Sequence, residues 1–116
     1  MNLIEEMKAL GADTEDALGR FMGNEALYER MLKKLPKVVE DTPVMSYAQS
    51  GDYDTATSNA HALKGVTGNL SLTPLYTNYT TIVDLYRMGK SDEATALLGE
   101  TLELQKKFVD AIAKYI

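Results

Sequence analysis

His61 is the one histidine in the chain, and it lies in the run NAHALKGVTGNLSL at residues 59–72. An imidazole can ligate metal, move protons or attack as a nucleophile. One imidazole cannot build a metal site alone, and the chain has no cysteine to assist it. The carboxylates are dispersed, with neither metal-ligand spacing nor the pairing that acid–base catalysis needs. Residues on a helix advance by about 100° each. With His61 at zero, Ala56, Ala60, Leu63, Thr67 and Leu70 gather on the opposite side. Asp54, Thr57, Ser58, Lys64, Gly65 and Gly68 share the histidine side, and none is a large hydrophobe. His61 is therefore expected to face water while its helix buries the other face.

Each glycine inside a helix costs roughly 1 kcal/mol relative to alanine. Gly65 and Gly68 follow His61 by one and two turns on its own face, so a compensating benefit is expected. A bare backbone beside the ring would let a partner surface come close; the alternative is a fraying helix end, to which Gly68 is nearer. Lys64 lies on the flank, a flexible point charge suited to a phosphate. Thr57 and Ser58 flank the site either as plain polar surface or as partner contacts. Near pH 7 an exposed imidazole is largely neutral and one ring nitrogen carries a free lone pair. That nitrogen is a competent nucleophile toward phosphorus. Phosphoryl transfer asks mainly for in-line positioning and charge neutralisation. No magnesium ligand set and no catalytic base shares this face, so the remaining machinery is expected on a partner.

The elements that must position His61 are all helical by periodicity. Leu3, Met7 and Leu10 share a face that stops at Gly11. Thr14 is expected to cap a second short helix carrying Leu18, Phe21 and Met22 and ending at Gly23. Asn24 caps the next, whose apolar positions Tyr28, Met31, Leu35, Val38, Met45 and Ala48 keep phase across Pro36 and Pro43. One long kinked arm from about Glu25 to Ser50 is expected there rather than three helices. Gly51-Asp52 opens the histidine helix, roughly Tyr53 to Leu70. Thr73 is expected to cap a helix with Pro74 in its first turn, carrying Leu75, Tyr79, Ile82 and Tyr86 on one face and ending near Gly89. Ser91 caps the last helix, with the stripe Ala94, Leu97, Thr101, Leu104, Phe108, Ile112 and Tyr115. Short connections imply antiparallel neighbours. The expected architecture is an all-α, up-and-down four-helix bundle with short extra N-terminal helices, in one domain over residues 1–116.

Composition bounds the function classes. The chain has 116 residues, 45% of them hydrophobic, which suits one modest core. Its formal net charge is -5, with 12 basic and 17 acidic residues, so nucleic-acid binding is disfavoured. There is no membrane-length apolar run and no signal-peptide pattern in MNLIEEMKAL. A cytoplasmic location is expected. The tyrosines and methionines read mostly as core. Phe21 and Met22 suit either packing over the end of the bundle or an apolar docking patch near His61.

With these residues in place, the sequence resembles the histidine phosphotransfer (HPt) domains of multistep two-component phosphorelays. The resemblance rests on Ala60-His61-Ala62-Leu63-Lys64-Gly65, then Gly68, Asn69 and Leu70. The upstream stretch ALYERMLKKLPKVVEDTPVMSYAQSGDYDTA supports it by leading into a Gly-Asp turn, as do the apolar Leu75 and Ile82. It covers the chain from about Gly11 to the C-terminus. It implies that His61 accepts a phosphoryl group on Nε2 from a receiver-domain aspartate and passes it to another receiver. It further implies that Lys64 holds the phosphoryl oxygens and that Gly65 and Gly68 leave room for the receiver. No cofactor is implied on this chain; magnesium is expected on the partner receiver. The implied partners are response regulator receivers and a hybrid sensor histidine kinase, with no kinase or ATPase activity in this chain. Two positions depart from the pattern. Ser71 stands where the family often has glycine. Val83, next to Asp84, stands where many members carry a glutamine that hydrogen-bonds the histidine. From the opening methionine and a full bundle a stand-alone shuttle is expected, and nothing in the sequence requires more than a monomer. A helical docking module that is never phosphorylated is the competing function, and a module phosphorylated by a kinase catalytic domain is a third.

Overall fold

Caps and left-handed turns cut this chain into helices before tertiary packing enters. The computed structural model describes residues 1–116 and contains no strand. Its eight helices are α1 (Leu3–Ala9), α2 (Thr14–Arg20), α3 (Glu25–Leu32), α4 (Leu35–Asp41), α5 (Met45–Gln49), α6 (Tyr53–Asn69), α7 (Thr73–Arg87) and α8 (Ser91–Ala113). Asn2 and Glu5 form a reciprocal capping box at the start of α1. Asn24 Oδ1 accepts from the Leu27 amide at the start of α3, and Asp52 Oδ1 accepts from the Thr55 amide at the start of α6. Gly11 follows α1 at φ +102°, where a Cβ would also come within 2.9 Å of Pro74 Cγ. Glycine is required there by both conformation and space.

Three helix starts fall one residue earlier than expected. Asp13, not Thr14, caps α2, its Oδ1 accepting from the Asp16 amide at 3.1 Å. Thr73 and Ser91 are already helical, and Leu72 and Lys90 precede them without a side-chain cap. The larger correction concerns the arm from Glu25 to Ser50, which is three helices and not one. Lys33 and Lys34 stay right-handed, so α3 passes into α4 through a kink with Pro36 in the first turn. The second break is complete. Thr42 leaves the helical region at φ -125°, ψ 60°, ahead of Pro43, which lacks the amide a continuing helix would need. The apolar phase still survives both breaks: Tyr28, Leu35 and Ala48 are buried and Met31, Val38 and Met45 half-buried.

The most extensive packing joins α6 to α7 and α7 to α8, with α4 and α5 bordering both α6 and α8. α1 lies on α8 and touches α2 and α3. The particle measures 41 × 24 × 20 Å, and the 23 residues of its longest helix, α8, span about 35 Å. Tyr28, Tyr79 and Phe108 are the largest fully buried side chains. The inward row of α8 is Ala94, Leu98, Thr101, Gln105, Phe108, Ala111 and Ile112. Leu97, Leu104 and Tyr115, expected in that row, are only half-buried. Gln105 takes an interior place because the Tyr79 hydroxyl donates to its Oε1. Every buried side-chain polar atom has a partner. The aromatic residues are less interior than expected: Tyr28, Tyr79 and Tyr86 are buried, whereas Tyr47, Tyr53 and Tyr76 are exposed. Met7 is likewise buried while Met22 and Met88 are exposed. At the far end Glu6 accepts from both Lys114 and Tyr115, clamping α1 to the C-terminus.

Candidate functional site around His61

α6 divides into two faces. Ala56, Ala60, Leu63 and Thr67 are at most 1% exposed, and Leu70 beyond them is buried too. Thr67 belongs to this face because its hydroxyl returns to the Leu63 carbonyl at 2.8 Å. His61 is on the other side and exposed, with Lys64 half-buried one turn on and Gly65 open to solvent. The neighbouring polar side chains of α6 are engaged elsewhere. Thr57 Oγ1 donates to the Tyr53 carbonyl at 2.6 Å, and Asn59 donates to the Pro43 carbonyl at 2.7 Å. Val83 is fully buried in α7, and Asp84 beside it is exposed. No group of three histidine, cysteine or carboxylate side chains could hold a metal ion.

The two glycines do different things. A Cβ at Gly65 would meet nothing within 4 Å. A Cβ at Gly68 would come within 2.8 Å of Tyr76 Cδ1 and 3.0 Å of Cε1. The space beside Gly68 is thus occupied from within by the Tyr76 ring, and only the space beside Gly65 is open.

His61, Lys64, Gly65, Gly68 and Asn69 form one wall of a groove of about 430 Å³. Thr73 and Tyr76 of α7, Ser71 in the turn, and Asp16 and Arg20 of α2 complete it. Thr57 and Ser58 do not line it. The groove is polar, and its charged lining side chains, His61 aside, are Lys64, Arg20 and a single carboxylate, Asp16. That carboxylate accepts from the Ser71 hydroxyl at 2.6 Å and from Arg20 Nε at 2.9 Å. These two hydrogen bonds, Ser71 first, hold Asp16 below the ordinary carboxylate range. With Arg20 paired to Asp16, the lining holds two cations to one carboxylate, an excess of one positive charge on a chain of net charge -5 that favours an anion.

α2 reaches the groove through Ser71. The Asp13 amide donates to the Ser71 carbonyl at 2.9 Å, beside the Ser71–Asp16 bond. Ser71 itself is left-handed, at φ +53°. That explains why glycine suits the position, and the side-chain bond to Asp16 explains how serine is held there. Phe21 packs inward, stacked on Tyr28 with ring centroids 5.5 Å apart, while Met22 stands 94% exposed at φ +56°. Of the two, only Met22 offers an apolar surface to a partner.

Asp16, Arg20, Asn69, Ser71 and Tyr76 were not among the expected site residues. Asp16 and Arg20 form an i,i+4 acid–base pair visible in the sequence, but nothing local places that pair beside residue 71. No protein-family model, curated protein or solved structure gives a significant match to this chain.

Proposed function

We propose that the protein is a histidine-containing phosphotransfer carrier, an HPt-type four-helix bundle acting between receiver domains. The observation that carries this reading is the exposed imidazole of His61, with Lys64 beside it and open space at Gly65, opposite the buried stripe of α6. In the four-helix reading, α6, α7 and α8 are three members and the broken arm α3–α5 is the fourth.

The chemistry is a double transfer. The lone pair of Nε2 on neutral His61 attacks the phosphorus of a receiver aspartyl phosphate. The N–P bond forms as the O–P bond breaks, and the aspartate leaves as a carboxylate. The Nδ1 proton stays on the ring, so the phosphorylated imidazole carries a compensating positive charge. The reverse step delivers the phosphoryl group to the carboxylate of a second receiver. Lys64 neutralises charge on the phosphoryl oxygens. Gly65 lets the receiver surface approach along the axis of attack, since in-line geometry depends on close approach. The receiver supplies the aspartate and its magnesium. The chain itself carries phosphate without kinase or ATPase activity and works as a monomer. Such a carrier operates in the cytoplasm, and no helix here is long and apolar enough to cross a membrane.

The test is incubation of wild type and His61→Gln with a phosphorylated receiver. Acid-labile, base-stable label on wild type alone is the expected result. Label persisting on His61→Gln would reject the site, and receiver binding without label on either protein would favour a docking module.

A further inference from the structure

We propose that Arg20 is the second phosphoryl-binding cation of this site, delivered to the His61 groove by the chain Ser71–Asp16–Arg20. The inference rests on the phosphotransfer reading and adds a residue from a different helix. α2 is only seven residues long, and two hydrogen bonds attach it beside the C-terminal end of α6: the Asp13 amide donates to the Ser71 carbonyl, and the Ser71 hydroxyl donates to Asp16. Asp16 Oδ2 is the common acceptor, taking both the Ser71 hydroxyl and Arg20 Nε. It therefore holds the Nε end of the Arg20 guanidinium beside Ser71.

The guanidinium has five N–H donors in a rigid fork. The Asp16 contact engages Nε, which leaves the terminal nitrogens free for another anion. Arg20 lines the same groove as His61 and Lys64. Its side chain is 53% exposed, so it meets a ligand from the solvent side. A phosphoryl group on His61 presents three oxygens. Lys64 is one turn away on the same helix and approaches as a point charge. Arg20 approaches from α2 and can take two oxygens at once, which is the geometry guanidinium favours. Asp16 and Ser71 are positioning residues in this scheme, and Arg20 is the group that touches phosphate.

Two measurements on full-length protein test the role. The first compares receiver-to-His61 transfer rates and the lifetime of phosphorylated His61 in wild type, Arg20→Ala and Arg20→Lys. Arg20→Ala should slow transfer on the order of tenfold, as for loss of one charged hydrogen bond, with an unchanged melting temperature. Arg20→Lys should fall between the two. The second titrates unphosphorylated protein with inorganic phosphate while following the Arg20 Nε–H, His61 ring and Gly65 amide resonances. All three should shift together in wild type, and the binding should weaken several-fold in Arg20→Ala. Normal His61 labelling with rates and phosphate binding indifferent to Arg20 would overturn this proposal and leave the carrier reading intact. No His61 label, with phosphate binding still dependent on Arg20, would overturn the carrier reading and leave the anion site standing.

Discussion

Ser71, in a left-handed turn, donates its hydroxyl to Asp16 Oδ2 over 2.6 Å, joining residues 55 positions apart. Two opposing effects meet in this serine. The left-handed conformation costs a residue with a Cβ roughly 1–2 kcal/mol, and the hydrogen bond offsets part of that. Ser71→Gly loses the bond and relieves the backbone; Ser71→Ala loses the bond and keeps the strain. Ser71→Ala should therefore be the less stable by about 1 kcal/mol, read as the shift in urea midpoint. Equal midpoints would show that the turn is not strained. Asp16 titrates below its ordinary value in the fold. Its contribution is thus present above the unfolded pKa and lost as pH falls through the folded one. The advantage of wild type over Ser71→Ala, which keeps the strain and loses only the bond, should narrow on acidification through that range.

Gly65 and Gly68 should separate stability from transfer. Alanine at Gly65 fits open space and should stabilise the helix by up to about 1 kcal/mol. Its methyl group stands where a receiver would approach, so transfer should slow. Alanine at Gly68 meets the Tyr76 ring at 2.8 Å. It should displace that ring, visible as a change in Tyr76 ring chemical shifts, and gain no stability. Thermal melts with parallel transfer rates make the comparison. Gly65→Ala with unchanged rates would remove the docking role of the gap.

The Tyr79–Gln105 pair is buried between α7 and α8. Tyr79→Phe would leave Gln105 without its partner, a desolvation penalty of about 1–3 kcal/mol. Tyr79→Phe with Gln105→Leu removes both polar ends and should recover most of that loss. A double-mutant cycle in urea measures the coupling. Additive effects would mean that the two side chains do not depend on each other.

Alkaline pH should loosen the fold. Burial, with a smaller contribution from the Asp13 charge, pushes the Tyr28 phenol from 10.0 up to about 12. Burial also raises Tyr79. Above pH 10 the unfolded chain releases these protons while the folded chain retains them, so stability falls as pH rises from 10 toward 12. Tyr28→Phe loses its bond to the Leu70 carbonyl, about 1 kcal/mol at neutral pH, yet should show a shallower alkaline decline. An identical slope would contradict the burial effect.

Much of the site helix was legible from angle alone. The buried set Ala56, Ala60, Leu63, Thr67 and Leu70 and the exposed His61 follow from 100° steps, because small and apolar residues occupy one side without exception. Glycine and asparagine or aspartate marked the ends of α1, α3 and α6 for local reasons. What stayed hidden depends on contacts between distant segments. Pro43 ends a helix although the apolar phase continues past it, since phase reports burial and not backbone continuity. Gln105 turns inward only because Tyr79 waits for it. Gly68 is bare because Tyr76, eight positions on, folds back over it. Asp16 and Arg20 enter the groove only through Ser71, and no local pattern encodes that meeting.

The most direct measurement is the phosphorylation state of His61 after exposure to a phosphorylated receiver, read by phosphorus NMR at alkaline pH with peptide mapping. A single phosphohistidine signal on the His61 peptide, absent from His61→Gln and lost on acidification, is the expected result. An unmodified His61 beside a dephosphorylated receiver, or label on any other residue, would contradict a carrier built around this imidazole.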